Sequence, residues 1–243
     1  LSACIAVIPA RFASTRFPGK PLAQMQGRPI IRHVYERVLD SGLFDDVIVA
    51  TDDTRIAEAV EAFGGRYKLT SPHHPSGSDR IAEVIRALDC EVVFNIQGDE
   101  PMIEPSALAE LKAVFSNPEV RVATLFTPLT DPQALLNINV VKVVFDNALN
   151  ALYFSRSAIP ANRDGIPDVA YFRHIGVYAY RKQTLLDFVN LPQGKLEQAE
   201  KLEQLRFLEH GIPIRLVETS YQGIGIDTPE DLLQMEKLLS GKA

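Results

Sequence analysis

The sequence predicts an α/β fold, with a mainly parallel sheet flanked by helices and a β-rich elaboration in the C-terminal half. Three observations carry this. Short apolar runs rich in β-branched residues alternate with longer stretches of helical period, the pattern of parallel βαβ units. From about Val120 to Arg181 the texture changes to strand-like runs with little helix between them. The chain has 243 residues, 46% of them hydrophobic, which suffices for a full core. No repeat, low-complexity segment or long linker divides it, so the expectation is one domain over residues 1–243.

Taken in order, Cys4–Pro9 reads as a buried strand and Ile30–Leu39 as a helix with Gly42 near its end. Asp46–Thr51 is a second strand, followed by a helix from Thr54 to Phe63 that Gly64 and Gly65 close. Asp79–Leu88 is helical, with Ser78 or Asp79 as its cap, and Glu91–Ile96 is a further strand. Val140–Phe145, Ala151–Ser155 and Arg173–Tyr180 are the strands of the β-rich section. Helices return at Lys195–Glu209 and Pro229–Leu239, with a strand at Ile214–Val217 between them. Leu196, Ala199, Leu202, Leu205 and Leu208 form the apolar stripe of the first of these helices, and Glu203 and Gln204 fall off it.

Composition excludes several classes. A net charge of −6 argues against a nonspecific nucleic-acid binder. No apolar run reaches the roughly 20 residues that span a bilayer, which argues against membrane insertion. No basic segment precedes the first apolar run, which reads as a strand rather than a signal peptide. Cys4 and Cys90 lie in or beside separate apolar runs and read as reduced, buried thiols of a cytoplasmic protein.

Within this acidic chain one segment is basic. P-A-R-F-A-S-T-R-F-P-G-K-P, from Pro9 to Pro21, links the first strand to a helix and carries Arg11, Arg16 and Lys20 with Ser14, Thr15 and Gly19. No Asp or Glu precedes Glu36, where the chain average would put about four or five. Such a loop lies at the carboxyl end of its strand, where open α/β sheets bind ligands. Gly19 allows close backbone approach, the prolines stiffen the loop, and its cations and N–H groups suit a polyphosphate. Neither a Walker loop nor a G-x-G-x-x-G fingerprint is present, which disfavours an NAD-dependent oxidoreductase.

Nucleotide chemistry of this kind needs hard oxygen ligands for Mg²⁺. Asp99 in Q-G-D-E-P follows a strand, and Asp227 in G-I-G-I-D-T-P-E-D precedes the last helix. Asp227 reads equally as a ligand or a cap, and Thr228 could cap in its place. The rival acidic pair, Asp52 and Asp53, is explained by capping the helix that starts at Thr54. Adjacent His73 and His74 are poor chelators.

The loop motif P-A-R-F-A-S-T-R-F-P-G-K-P-L resembles the signature of the cytidylyltransferases that activate acidic sugars, and within them the 3-deoxy-manno-octulosonate (Kdo) cytidylyltransferase, or CMP-Kdo synthetase, family. The likeness runs in order from Ile5 to about Leu233 and includes Q-G-D-E-P, S-G-S-D-R, A-L-Y-F-S-R-S-x-I-P and L-E-Q-L-R. It implies a nucleotide-diphospho-sugar transferase-like fold and CMP transfer from CTP to Kdo for lipopolysaccharide biosynthesis. By resemblance Arg11 and Lys20 contact the CTP phosphates with Arg16 close by, and Asp99 and Asp227 bind Mg²⁺. Lys20, Arg11 and Asp99 are then the catalytic candidates. Ser71, Ser76, Gly77 and Arg80 form the base and ribose pocket, while Gln97, Arg156, His174, Tyr178, Glu203 and Gln204 meet the sugar acid. Without it, His174 and Tyr178 read as the polar face of a half-exposed strand. The repeated L-E-Q at Leu196 leaves open which copy binds. The family also implies a homodimer through residues 120–181. The rivals are a transferase for sialic acid or 8-amino-Kdo and a noncatalytic nucleotide-binding module.

Overall fold

The first apolar run forms β1 (Cys4–Ala10) in the computed structural model, which describes residues 3–13, 16–223 and 225–240. A 3₁₀ turn at Lys20–Leu22 and a short hairpin, β2 (Gln24–Met25) with β3 (Arg28–Pro29), lead into α1 (Ile30–Asp40). Ile30, Ile31, Val34, Tyr35 and Val38 form the buried face of α1, spaced as one helical stripe requires. Gly42, at φ +65°, turns the chain out of it. Next come β4 (Asp46–Thr51), α2 (Thr54–Ala62), β5 (Tyr67–Leu69), α3 (Gly77–Ile85), β6 (Val92–Asn95) and α4 (Pro105–Ala113).

The chain divides into two compact units, Leu1–Ala109 with Gly223–Ala243, and Glu110–Gln222. In the first unit β4 and β6 flank β1 and β5 extends the far side of β4, every pairing parallel. The strands β1 and β6 are continuous apolar runs because both faces of such a sheet are covered. All four carboxyl ends therefore lie on one edge, which gathers the loops after Ala10, Thr51, Leu69 and Asn95. Cys4 and Cys90 are buried, as the apolar runs around them predict.

The second unit contains β7 (Val122–Pro128), α5 (Pro132–Leu136), β8 (Lys142–Phe145), β9 (Ala151–Ser155), β10 (Phe172–Arg181), α6 (Lys182–Phe188), α7 (Lys195–Glu200), α8 (Leu205–Glu209) and β11 (Arg215–Glu218). Here β7, β10, β8 and β9 pair antiparallel in that order, and β11 runs parallel to β7. Phe126, Phe145 and Phe172 pack ring against ring at 4.8 to 5.4 Å in its core. The last helix, α9 (Pro229–Leu239), belongs to the first unit. The α/β class with a mostly parallel sheet and a β-rich section matches the sequence expectation.

Two helix expectations are corrected. The single helix over Lys195–Glu209 is two, because Lys201 adopts φ +54° and breaks the run. The proposed stripe fails with it: Leu196 is 43% exposed, whereas the off-stripe Gln204 is buried. A buried ion pair between Glu197 and Arg206, which a hydrophobic stripe ignores, replaces it. The helix expected from Asp79 starts at Gly77, since Ser76 is the cap that accepts from the Asp79 N–H.

Candidate functional site

The basic loop is held by its apolar residues. Gly19, at φ +71°, donates its N–H to the Phe12 carbonyl at 2.9 Å, and Lys20 donates to that of Phe17 at 3.1 Å. Phe17 packs on a cluster of Met25, Ile30, Ile226 and Met235, and Pro21 is buried. The Arg55 guanidinium lies 3.4 Å over the Phe12 ring and is itself fixed by both carboxylate oxygens of Asp53. Thus the aromatics face inward and the cations outward, and Arg11 and Arg16 are exposed at the strand's carboxyl end. Ser14 and Thr15 lie outside the described residues.

Lys20 ties the loop to both aspartates. Its Nζ donates to Asp99 Oδ2 at 2.5 Å and Asp227 Oδ1 at 3.3 Å, and Arg16 reaches Asp227 Oδ1 at 3.1 Å. The Lys20–Asp99 pair is largely shielded from water, whereas the Arg16–Asp227 pair is open to solvent and contributes little stability. Asp227 is brought there by the Ile226 N–H, which donates to the Asp99 carbonyl at 2.9 Å. Thr228 caps α9 in a reciprocal box with Asp231, which leaves the Asp227 carboxylate facing the cations. A Cβ at position 98 would lie 3.2 Å from the Pro9 carbonyl, so glycine there lets the Gln97–Asp99 turn pack against β1. Arg11, Arg16, Lys20, Gln97, Asp99 and Asp227 line one cleft of about 200 Å³.

Two carboxylates facing a basic loop fit Mg²⁺, which takes one or two carboxylates and completes its shell with phosphate oxygens and water. Among the described residues no group of three or more His, Cys, Asp or Glu side chains converges into a closed metal cage. The rival pair is accounted for otherwise: Asp53 caps α2, and Asp52 faces Arg80 at 3.3 Å.

The loop before α3 is a network. Ser76 Oγ donates to Asp79 Oδ2 at 2.6 Å, and Gly77 opens the helix with its α-carbon turned toward Pro9. The Ser71 N–H donates to Glu83 Oε2 at 3.0 Å, and His74 pairs with the same carboxylate. That imidazole holds the Glu83 carboxyl below its usual range. Arg80 is buried and donates to Thr70 Oγ1 at 2.5 Å. In this structure Arg80 is a post within the loop, and Gln97 donates to Asn95 Oδ1 at 2.9 Å.

In the second unit His174 and Tyr178 are not on a half-exposed strand face; both are buried, their rings 5.4 Å apart. A register shift between Ile175 and Tyr178 sets their spacing, which simple alternation could not foresee. Burial, aided by Arg173, pulls the His174 pKa from 6.5 down to about 3, so the ring is neutral. Its Nε2 lies 3.0 Å from Thr124 Oγ1. Burial likewise pushes the Tyr178 phenol well above its ordinary value, and Tyr180 and Glu203 add to this. The Arg156 guanidinium donates to the carbonyls of Glu200 at 2.7 Å, Ile138 at 3.0 Å and Lys201 at 3.4 Å. Gln204 is the residue before α8, and Glu203 precedes it in the turn that Arg156 holds.

Sequence reasoning missed Lys142, the one cation inside V-V-K-V-V-F. It is fully buried, and its Nζ donates to the carbonyls of Asn137 at 3.0 Å, Val140 at 2.6 Å and Arg156 at 2.5 Å. A lysine in an apolar strand was the available signal. It also missed the Phe12–Arg55 clasp, which no local pattern announces.

The chain resembles known proteins over its whole length. The family described as cytidylyltransferase matches residues 5–217. A curated 3-deoxy-manno-octulosonate cytidylyltransferase of Geobacter metallireducens is 49% identical over 97% of each chain. One of Bacteroides thetaiotaomicron is 49% identical over 98% of this chain and 99% of its own. A solved CMP:2-keto-3-deoxy-manno-octonic acid synthetase complexed with CTP superposes over 100% of both chains, with TM-score 0.94 and 43% identity. A 4-diphosphocytidyl-2C-methyl-D-erythritol synthase from Anaerococcus prevotii, 16% identical at TM-score 0.66, shares the fold.

Proposed function

The chain belongs to the cytidylyltransferases, and within them to the 3-deoxy-manno-octulosonate cytidylyltransferases, and from that premise we propose how its own residues perform the reaction. It transfers CMP from CTP to the anomeric hydroxyl of Kdo, giving CMP-Kdo and pyrophosphate for lipopolysaccharide biosynthesis. The observation that carries the mechanism is the bridge from Lys20 to Asp99 and Asp227 at the carboxyl edge of a parallel sheet.

The anomeric oxygen attacks the α-phosphorus, the bond from that phosphorus to the bridging oxygen breaks, and pyrophosphate leaves. The hydroxyl proton passes to solvent, since no side chain of the cleft stands as an obligatory base. Arg11 and Lys20 bind the phosphates and stabilise charge on the departing pyrophosphate, with Arg16 at the cleft mouth. Magnesium, held by Asp99 and Asp227, would supply positive charge at the phosphates. When the nucleotide enters, Lys20 exchanges its carboxylate partners for phosphate oxygens. Ser71, Ser76, Gly77 and Arg80 shape the pocket for base and ribose. Gln97, Arg156, His174, Tyr178, Glu203 and Gln204 receive the sugar acid, with His174 as a neutral hydrogen-bonding group. Most of the rate comes from positioning and preorganised charge.

The protein works as one nucleotidyltransferase domain in the cytoplasm and as a homodimer. Support for the dimer is the exposure of Leu136, Ile138, Leu152 and Ile166 in the second unit, large apolar side chains that a monomer would leave in water. No helix among the described residues is long and apolar enough to cross a membrane. Pyrophosphate release measured across CTP, UTP and ATP, each with Kdo, 8-amino-Kdo and sialic acid, tests the assignment. Release with CTP and Kdo well above every other pair is expected. No release with any pair would favour a binding module and sink the proposal.

A further inference from the structure

The turn Lys201–Gln204 carries two of the sugar-acid contacts, and it sits between two short helices that could not hold it unaided, since segments this short are marginal in water. Three sets of bonds fix it. Glu209, at the end of α8, accepts the N–H groups of Leu196 at 2.9 Å and Glu197 at 3.1 Å and so closes the start of α7. Glu200, at the end of α7, accepts from Ser155 Oγ at 2.7 Å and the Arg156 N–H at 2.9 Å. Between them Arg206 grips Glu197 with two parallel bonds, Nε to Oε2 at 2.8 Å and a terminal nitrogen to Oε1 at 2.6 Å. Both members of this pair are buried, an arrangement that costs desolvation and is weak evidence of a stabilising role.

Its placement explains its presence better than stability does. Arg206 lies three residues after Glu203 and two after Gln204, and its guanidinium stands 4.6 Å over the Phe188 ring. Phe188 stacks on Phe207 at 3.9 Å, Phe207 on Tyr180 at 5.8 Å, and Tyr180 on Tyr178 at 5.8 Å. One fork therefore fixes both the turn bearing Glu203 and Gln204 and the row of rings that runs through Tyr178 to His174. It also distinguishes the duplicated motif: the glutamate of the first L-E-Q, Glu197, is the one that pairs with Arg206.

We propose that the Glu197–Arg206 ion pair is a positioning device for the sugar acid, setting the orientation of Glu203, Gln204 and Tyr178 without touching substrate. The inference rests on the assignment of those residues to the sugar in the preceding subsection. The test is steady-state kinetics on the full chain with CTP and Kdo, for Glu197→Gln and for the double change Glu197→Met with Arg206→Met. The methionine pair removes both charges together and is expected to fold, because apolar replacements of a buried pair are commonly neutral or stabilising. Expected is a rise in KM for Kdo of about ten-fold or more in both variants, with KM for CTP within about two-fold of the parent. Circular dichroism confirms that each variant is folded, and Glu197→Gln, nearly isosteric, carries the test if the double change fails to fold. A KM for Kdo unchanged in a folded variant overturns the proposal, as does an equal rise for both substrates. Parent enzyme without turnover on Kdo would overturn the sugar assignment itself, and is read before any variant.

Discussion

His174 gives the protein a pH dependence that can be worked out from one side chain. Burial against Phe154 at 5.0 Å and Tyr178 at 5.4 Å holds its pKa near 3, against 6.5 in the unfolded chain. The folded-state value is depressed, so between those two pH values the unfolded chain binds the extra proton. Stability is therefore complete above about pH 6.5 and falls as the pH drops toward 3. Integrated from pH 7 to pH 5, this one group removes about 2 kcal/mol, the slope nearing its limit of about 1.4 kcal/mol per pH unit at the acid end. The perturbation is His174→Phe, which keeps a ring against Phe154 and Tyr178 and cannot titrate. Urea unfolding followed by circular dichroism at pH 7, 6 and 5 gives both stability curves. The difference between the two proteins should change by about 2 kcal/mol across that range, the variant losing less. Parallel curves would refute the reasoning and mean that His174 is hydrated or paired in solution. The depressed carboxyls, such as Glu83 beside His74, act in the same direction but at lower pH, so the comparison isolates the histidine.

Two further outcomes follow from the geometry. Gly19→Ala places a Cβ 3.0 Å from the Phe12 ring at φ +71°, a backbone strain of about 1–2 kcal/mol, and should raise KM for CTP while leaving KM for Kdo near its parent value. Equal shifts for both substrates would contradict the placement of that loop on the nucleotide. Lys142→Met leaves three carbonyls, those of Asn137, Val140 and Arg156, without their donor and should destabilise the protein by about 2–4 kcal/mol in urea titration. A loss under about 0.5 kcal/mol would show those carbonyls to be hydrated instead.

What could be read from the chain was whatever is written in local order. In the first unit β1, β4, β6, α1, α2 and α9 follow apolar period and glycine punctuation, so β4 and α9 fall where the sequence puts them. The loop stood out as a candidate because an acid-free basic stretch in an acidic chain is a composition signal, and the cleft it lines is where the structure places it. Tertiary constraints were not. The break at Lys201 goes with an ion pair between residues nine apart, which one continuous helix would put on opposite faces, while propensity favours one long helix. The burial of His174 and Tyr178 depends on a register shift against β7, and period-two reasoning has no term for it. Likewise β5, β7, α4 and α6 were passed over; Val122–Pro128 is almost wholly buried, but Thr124 and Thr127 interrupt its apolar run without giving a period-two alternation. The roles of Arg156, Glu203 and Gln204 came from resemblance, and the geometry adds that Arg156 and the turn are one hydrogen-bonded assembly.

The central claim is that the Lys20–Asp99–Asp227 cluster performs nucleotidyl transfer, and phosphorus NMR of CTP mixed with Kdo and Mg²⁺ tests it most directly. The parent protein should convert CTP into one pyrophosphate and one CMP-sugar phosphodiester each. Asp99→Asn, folded by circular dichroism, should slow that conversion by about 10²-fold or more. Conversion by Asp99→Asn at close to the parent rate would contradict the account.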